Sequence, residues 1–340
     1  MFRDDEVVPD QFDFSYHEPS PTCVVAENCK VFYFEVPKVA SSALKLLLAD
    51  ANGTYKPDER FDTLYANTSL EQTAHNPEVN GLTPLRKLDP LVREAGLKSS
   101  DWWRIAGLRD PYSRFYSGWE NRILLMPPAR RLERIARLGV TDVIEDGCLN
   151  VTKTFIQFAR DLAQRPDKFR LDGHFNTQKY TIRPEYVDYT HIFRVDIAEE
   201  IDGFVKALSE RVGRQLTLQR LNESIGLKGS QFLNAEVGKI IEDVFSDDFE
   251  AFGFERREFP ESLPDVVLTP IETNLVMQYR ALSERLSVVS RSGFARERGL
   301  LAMLKKEHVE TQRRAGGRYA VGELLNVPKA RLNWLLRRGR

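Results

Sequence analysis

The chain has 340 residues, of which 42% are hydrophobic and 29% are charged, and its net charge at pH 7 is -1. This length and composition predict one large domain with a full core plus an appendage. No long apolar run occurs and the first residues are polar and acidic, so neither a membrane anchor nor a signal peptide is visible, and we expect a cytoplasmic protein. The three cysteines lack metal-ligand spacing and predict free thiols in a reducing compartment, with a Cys23–Cys29 disulfide as the alternative.

The first informative segment is a predicted strand that runs into a turn and then into a helix. Val31 to Val36 is an apolar run of strand length, and Pro37 ends it. Ser41 and Ser42 are good N-cap residues, so a helix is predicted to start there and to continue through the leucine-rich sequence that follows. Such a turn directs free N–H groups and the positive end of the helix dipole at one spot, where Lys38 adds a full charge. We therefore predict a phosphate or sulfate site.

A plainer interpretation of the same residues makes Lys38 a solvated charge beside a helix cap. The nucleotide-binding loops G-x-x-x-x-G-K-[ST] and G-x-G-x-x-G do not occur in the chain. A P-loop kinase or nucleotidase is therefore the less favoured class of enzyme, since it would also require an acidic residue that binds Mg²⁺.

The second informative segment repeats this arrangement further along the chain. Trp103 to Leu108 is again of strand type, and aromatic residues then recur at helical spacing. Asp110 is placed to cap the new helix, and Pro111 occupies its first turn, where a missing N–H costs nothing. Arg109 therefore lies at the carboxyl end of a strand, the edge at which ligands collect in open α/β sheets, and Ser117 lies two turns into the helix. The alternative is an Arg–Asp pair at a helix start with an ordinary exposed serine.

Together the two segments resemble the sulfotransferases. The loop Pro37 to Ser42 is similar to their 5′-phosphosulfate loop, P-K-x-G-T-T or P-K-x-A-x-T in the carbohydrate branch. The second segment, Arg109 to Trp119, is similar to their 3′-phosphate motif R-D-P-x-x-R-x-x-S-x-[YW] and includes the internal Arg114. The chain departs from the pattern in two ways. Ala40 replaces the common glycine, which restricts the backbone conformations open to the turn. Serines replace threonines, which keeps the hydroxyl groups.

Weaker resemblances extend the match towards the carboxyl terminus. The family stretch H-[FW]-x-P-Q is similar to His174 to Gln178, with Thr177 in place of the proline. The next strand of that branch is similar to Val187 to Asp196, which a helical sequence follows. The family ending D-[FY]-x-x-F-G-[FY] is similar to Asp248 to Phe254, so the resemblance covers Lys30 to Phe254.

The resemblance implies an α/β fold, the three-layer, P-loop-like sulfotransferase fold with a central parallel sheet flanked by helices. We divide the chain into an N-terminal arm (1–29), the sulfotransferase domain (30–269) and a helical, basic C-terminal extension (270–340). The animal Golgi enzymes of the carbohydrate branch, sulfotransferase family 2, carry an amino-terminal membrane helix. Because no such helix is visible here, we expect a soluble bacterial member of that branch.

The resemblance also implies an activity and a site. The enzyme would move the sulfuryl group of 3′-phosphoadenosine 5′-phosphosulfate to an acceptor hydroxyl of a carbohydrate, without a metal. Lys38 would be catalytic on the leaving-group side, and Arg109 and Ser117 would bind the 3′-phosphate. The residues that would hold the 5′-phosphosulfate are Lys38, Val39, Ala40, Ser41 and Ser42. The acceptor base would be His174, since a neutral imidazole takes up a proton near pH 7. His75 is its rival, because in some branches the base precedes the arginine motif.

The end of the chain differs in charge from the rest. Residues 291–340 contain 13 Lys and Arg against 4 Asp and Glu, with apolar and basic residues alternating at helical spacing. Docking within the molecule or self-association is one interpretation, and an anionic membrane surface, the inner face of the cell membrane, is another. Nucleic acid is not expected, because no recognised module accompanies the charge. A non-catalytic protein that binds nucleotides or glycans on the same fold stays open as an alternative function.

Overall fold

The computed structural model describes residues 22–55, 74–75, 77–125, 141–166, 173–219, 227–282 and 284–285. The strands among these residues, in chain order, are β1 (Cys23–Ala26), β2 (Val31–Phe34), β3 (Thr83–Pro84), β4 (Trp103–Leu108), β5 (Ile144–Glu145), β6 (Cys148–Leu149) and β7 (His191–Arg194). Five of them form the central sheet in the order β3-β1-β2-β4-β7. The strands β2, β4 and β7 are parallel, whereas β1 is antiparallel to both β2 and β3.

The helices surround this sheet. They are α1 (Ser41–Ala51), α2 (Pro77–Asn80), α3 (Pro90–Lys98), α4 (Pro111–Trp119), α5 (Val151–Gln164), α6 (Gln178–Ile182), α7 (Ala198–Val212), α8 (Ala235–Val244) and α9 (Ser246–Phe252). A π-helical turn, Glu120–Leu124, continues α4, and Gly173–Phe175 forms a 3₁₀ turn before α6. Residues 270–282 are also helical.

Alternate side chains of β2 enter different parts of the core, because successive residues of a strand point to opposite faces of the sheet. Tyr33 packs in a cluster with Leu44 of α1 and Phe204 of α7. Phe32 lies in another cluster, which includes Leu97 of α3. Helices therefore cover both faces of the sheet, and the predicted three-layer α/β class is confirmed. The sheet is mixed rather than wholly parallel, since its β1–β3 side is antiparallel.

The packed structure reaches beyond both ends of the predicted domain. Strand β1 lies inside the sheet, between β3 and β2, so the sheet begins before the predicted start at Lys30. Beyond the predicted end at Thr269, Arg280 is only 2% exposed. Its guanidinium donates to the Leu124 carbonyl oxygen at 2.6 Å and pairs with Asp142 at 2.9 Å. A buried charge requires partners, and Arg280 has them in Leu124 and Asp142. Residues 270–282 thus contribute buried contacts of their own.

The chain divides into two compact units, Met1–Leu286 and Ser287–Arg340. The second unit holds the basic sequence at the end of the chain, and it lies outside the described residues. Within the first, Cys23 and Cys29 are buried free thiols, as predicted. No helix of the described segments is long and apolar enough to cross a membrane.

The sequence from Leu124 to Asp167 predicts several helices, and one local structure departs from that prediction. The described part of that stretch contains α5 and, ahead of it, the hairpin formed by β5 and β6. The two turn residues, Asp146 and Gly147, both have positive φ, 49° and 77°. A two-residue Asp-Gly turn of this kind matches the twist of a β-hairpin, so it favours the hairpin over a continuous helix.

Candidate active site

The turn between β2 and α1 has an unusual main-chain conformation. Lys38 and Ala40 both lie in the left-handed region, at φ of 69° and 56°. For a residue with a Cβ this region costs roughly 1–2 kcal/mol. Ala40 is the N-cap residue and makes no side-chain capping bond. The prediction that Ser41 or Ser42 caps the helix is therefore wrong. The N-cap position is one residue earlier, at Ala40, and both serines lie in the first turn of α1.

This turn has the features of an anion site. The first N–H groups of a helix have no partner within the helix, and the helix dipole adds positive potential there. The first turn of α1 contains no acidic residue that would neutralise this potential. Ser41 and Ser42 are 8% and 5% exposed, and Lys38 lies half-buried just before them. A phosphate or sulfate group fits this set of donors.

The turn between β4 and α4 lies next to the first one, because β2 and β4 are neighbouring parallel strands. Asp110 accepts the N–H of Ser113 at 3.0 Å and so caps α4, as predicted. The Arg109 guanidinium donates to the Lys38 carbonyl oxygen at 3.3 Å and to the Ser113 hydroxyl at 3.1 Å. Burial is the main influence on Arg109 and lowers its pKa. The structure thus brings Arg109 and Lys38, predicted from separate motifs, to one edge of the sheet.

Arg114 connects the β2–α1 turn to the segment that contains His174. It is 1% exposed, and burial lowers its pKa to about 10. Its Nε donates to the Pro37 carbonyl oxygen at 3.1 Å, and its Nη1 donates to the Asn176 carbonyl oxygen at 2.9 Å. A single buried guanidinium therefore holds two segments of the site, and its rigid, planar donors set their separation more closely than the flexible side chain of a lysine would.

Two residues of the weaker motifs anchor the other side of the site. The amide of Gln178 accepts the Arg109 N–H at 3.0 Å and donates to the Arg109 carbonyl oxygen at 2.8 Å. The carboxylate of Asp248 accepts the N–H groups of Gln178 and Lys179, both at 2.9 Å, at the start of α6. Burial raises the pKa of Asp248. These bonds explain why a glutamine and an aspartate occur at these positions: both fix the main chain beside Arg109.

His174 lies in the 3₁₀ turn that packs on α4, and its side chain is half-buried. The close approach occurs at Gly118, where an added Cβ would lie 3.2 Å from the Phe175 ring and 3.6 Å from the His174 carbonyl oxygen. Gly118 is the neighbour of Ser117, which is also half-buried. The structure therefore places His174 beside the helix of the second motif.

His75 lies on the other side, beside the β2–α1 turn. Its Nε2 is 2.9 Å from the Ser42 hydroxyl oxygen, and its Nδ1 is 2.9 Å from the Lys45 Nζ. Lys45 also pairs with Glu35 at 2.6 Å. Sequence reasoning missed Glu35 and Lys45. The available signal was the single charge of Lys45 within the otherwise uncharged first turns of α1, where a buried lysine requires an acidic partner.

The Lys45–Glu35 pair supports a stability prediction. Both side chains are nearly buried, at 7% and 12% exposed. Replacing Lys45 with methionine would leave the Glu35 carboxylate without its charged partner, which should destabilise the fold by about 3–5 kcal/mol. The double variant Lys45→Met/Glu35→Gln removes both charges and should recover much of that loss. Urea unfolding of the three proteins measures the effect, and equal stability of Lys45→Met and the wild type would show that the pair contributes nothing.

Comparison with known proteins agrees with this geometry. A family model described as the sulfotransferase family matches residues 21–255. The matched range contains both strand-to-helix turns and the segments of His75, His174 and Asp248. No curated protein and no solved structure matches the chain at a significant level. In the described residues, no group of three or more His, Cys, Asp and Glu side chains is arranged to hold a metal ion.

Proposed function

The chain belongs to the sulfotransferase family, and we propose that it transfers the sulfuryl group of 3′-phosphoadenosine 5′-phosphosulfate to an acceptor hydroxyl of a carbohydrate. One observation carries the proposal. An anion-binding turn and the guanidinium of Arg109 lie at the carboxyl ends of neighbouring parallel strands, and Arg109 donates to the Lys38 carbonyl oxygen of that turn. A donor with phosphate groups at both its 3′ and 5′ positions needs two such positive groups close together.

The β2–α1 turn would hold the 5′-phosphosulfate. Its left-handed residues, Lys38 and Ala40, leave the N–H groups of the first helical turn at the site, and the hydroxyls of Ser41 and Ser42 add donors. Arg109 and Ser117 would hold the 3′-phosphate, the arginine through the paired donors of its guanidinium. The donor, when bound, supplies an already activated sulfuryl group, so the protein needs to position it and to stabilise charge.

Lys38 would act on the leaving-group side of the transfer. As the acceptor oxygen bonds to sulfur, the bond from sulfur to the bridging 5′-phosphate oxygen breaks, and that oxygen gains negative charge. The ammonium group of Lys38 would neutralise this charge. His174 would take the proton that the acceptor hydroxyl loses. Support for His174 comes from its turn, which Arg114 ties through the Asn176 and Pro37 carbonyl oxygens to the β2–α1 turn.

The first experiment measures transfer itself. Purified protein is incubated with donor carrying radiolabelled sulfate and with a mixture of glycan acceptors, and the label in the glycan fraction is counted. Transfer to glycans supports the proposal, and transfer only to non-glycan hydroxyls would correct the acceptor class. Tight binding of 3′-phosphoadenosine 5′-phosphate without transfer would identify a non-catalytic binding protein. Binding of ATP in preference to the bisphosphate would identify a kinase-like protein.

A second experiment tests the 3′-phosphate site. The Arg109→Ala variant should bind 3′-phosphoadenosine 5′-phosphate more weakly by roughly 1.5–3 kcal/mol, since it loses a charged hydrogen bond to a group that does not react. Isothermal titration calorimetry measures the change. Arg160→Ala is the matched control, because Arg160 pairs with Glu236 at the surface and lies outside both motifs. Unchanged affinity of Arg109→Ala would show that the assignment of the site is wrong.

A further inference from the structure

Four polar side chains form a cluster beside the β2–α1 turn: Glu35, Ser42, Lys45 and His75. Lys45 is buried, and its ammonium group contacts both the Glu35 carboxylate and the His75 Nδ1. The opposite ring nitrogen, Nε2, contacts the Ser42 hydroxyl. The cluster thus links a buried ion pair through an imidazole ring to a serine of the anion site.

Two groups face the Nδ1 of His75: the Lys45 Nζ at 2.9 Å and the Glu35 carboxylate at 3.5 Å. An ammonium group only donates hydrogen bonds. The Lys45 contact is the shorter of the two, so we infer that Nδ1 accepts from the ammonium group and that the proton of the neutral ring is on Nε2. Nε2 is 2.9 Å from the Ser42 Oγ, so the ring donates to the serine. Glu35, at 2.6 Å from Lys45, balances the charge of the ammonium group and keeps it in place.

This donation restricts the Ser42 hydroxyl. A serine hydroxyl has one proton to donate and two lone pairs that accept. With one lone pair occupied by the Nε2–H of His75, the serine proton points away from the ring. Ser42 lies in the first turn of α1, where an anion would sit, and a hydroxyl that accepts a hydrogen bond is a stronger donor in turn.

We propose that His75 is a positioning residue, which orients the Ser42 hydroxyl to donate to the 5′-phosphosulfate. The inference rests on the proposed function and adds a role to one of its residues. It also removes His75 as the acceptor base. A general base needs an open lone pair, whereas Nδ1 of His75 accepts from Lys45 and Nε2 carries the proton. The role of base then stays with His174.

Two substitutions of His75 separate positioning from base catalysis. The amide nitrogen of His75→Gln can still donate to Ser42, but glutamine is not a base. His75→Ala can do neither. Calorimetry with 3′-phosphoadenosine 5′-phosphate should show roughly three- to tenfold weaker binding for His75→Ala, the effect of one hydrogen bond, and affinity within about twofold of wild type for His75→Gln. In the transfer assay, KM for the donor should rise in His75→Ala with little change in kcat.

A double-mutant cycle with Ser42 tests whether His75 affects binding through the Ser42 hydroxyl. Because His75 acts through Ser42, the double variant His75→Ala/Ser42→Ala should bind the bisphosphate no more weakly than Ser42→Ala alone. Additive losses would overturn the inference. So would a His75→Gln variant that keeps its affinity and loses kcat by roughly 10²–10⁴, since that result identifies His75 as the base. Circular dichroism of each variant checks that it is folded.

Failure of the proposed function gives a different result. When the wild-type protein binds no bisphosphate and transfers no sulfate, both proposals fall before any variant is compared. When it binds the bisphosphate without transfer, the proposed transfer falls, and calorimetry of the variants still tests the role of His75. If the wild type binds and transfers but His75→Ala matches it in affinity and kcat, only the role of His75 is refuted.

Discussion

Replacement of His174 with alanine should lower kcat by roughly 10²–10⁴, the usual contribution of a general base, and leave the affinity for 3′-phosphoadenosine 5′-phosphate unchanged. The substitution should affect kcat and not affinity, because a base touches the acceptor and not the adenosine of the donor. The half-buried turn of His174 packs against α4 at Gly118, so the substitution removes a side chain from a position that the main chain already fixes. Steady-state kinetics and calorimetry on the same protein give the two values.

His191→Ala serves as the control for His174→Ala. His191 lies on the edge strand β7, where burial lowers its pKa and its ring packs against Trp103. Its removal should leave kcat near that of the wild type. A His174→Ala variant with wild-type activity would show that His174 is structural. If His75→Ala then lost kcat instead, the base would belong to the segment between the two motifs.

Replacement of Lys38 with alanine should lower kcat by about 10²–10³, the typical effect of removing one donor that stabilises charge developing in a transition state. Binding of the bisphosphate product should weaken much less than kcat falls, because the charge on the bridging oxygen forms only during transfer. Alanine is a suitable replacement here. Lys38 already has a Cβ at a φ of 69°, so Lys38→Ala adds no new strain to the turn.

Lys38→Arg separates charge from geometry. It keeps the positive charge but replaces a compact ammonium group with a planar guanidinium, so it should recover only part of the lost kcat. Rapid-quench measurement of a single turnover isolates the transfer step from product release. Equal losses in kcat and in bisphosphate affinity for Lys38→Ala would contradict the proposed role and make Lys38 a ground-state anchor.

Local sequence predicted the two main strand-to-helix units well. Strand β4 begins and ends at the predicted residues, and Asp110 caps α4 as predicted, because both features depend on residues within a few positions of each other. Strand β1 lies within the predicted arm, yet it pairs with both β2 and β3. Its place inside the sheet depends on β3, a strand much later in the chain, which the local sequence does not record.

The β2–α1 turn departs from what local capping preferences predict. A serine is a better N-cap than an alanine, which is why Ser41 and Ser42 were expected at the helix start. In the structure Ala40 holds the cap position in a left-handed conformation. That conformation also gives a reason for the glycine that is common here in the family, because glycine reaches positive φ without the cost of a Cβ.

By itself, the sequence determined the α/β class, the family resemblance and the positions of Lys38 and Arg109 at the ends of two strands. These depend on hydrophobic period, capping residues and short spacings, which act over a few residues. Only the tertiary structure decided that Arg109 contacts the Lys38 main chain and that His75 lies between Lys45 and Ser42. Such contacts join residues some 30 to 70 positions apart in the chain. Sheet pairing and burial, which the sequence pattern does not record, bring them together.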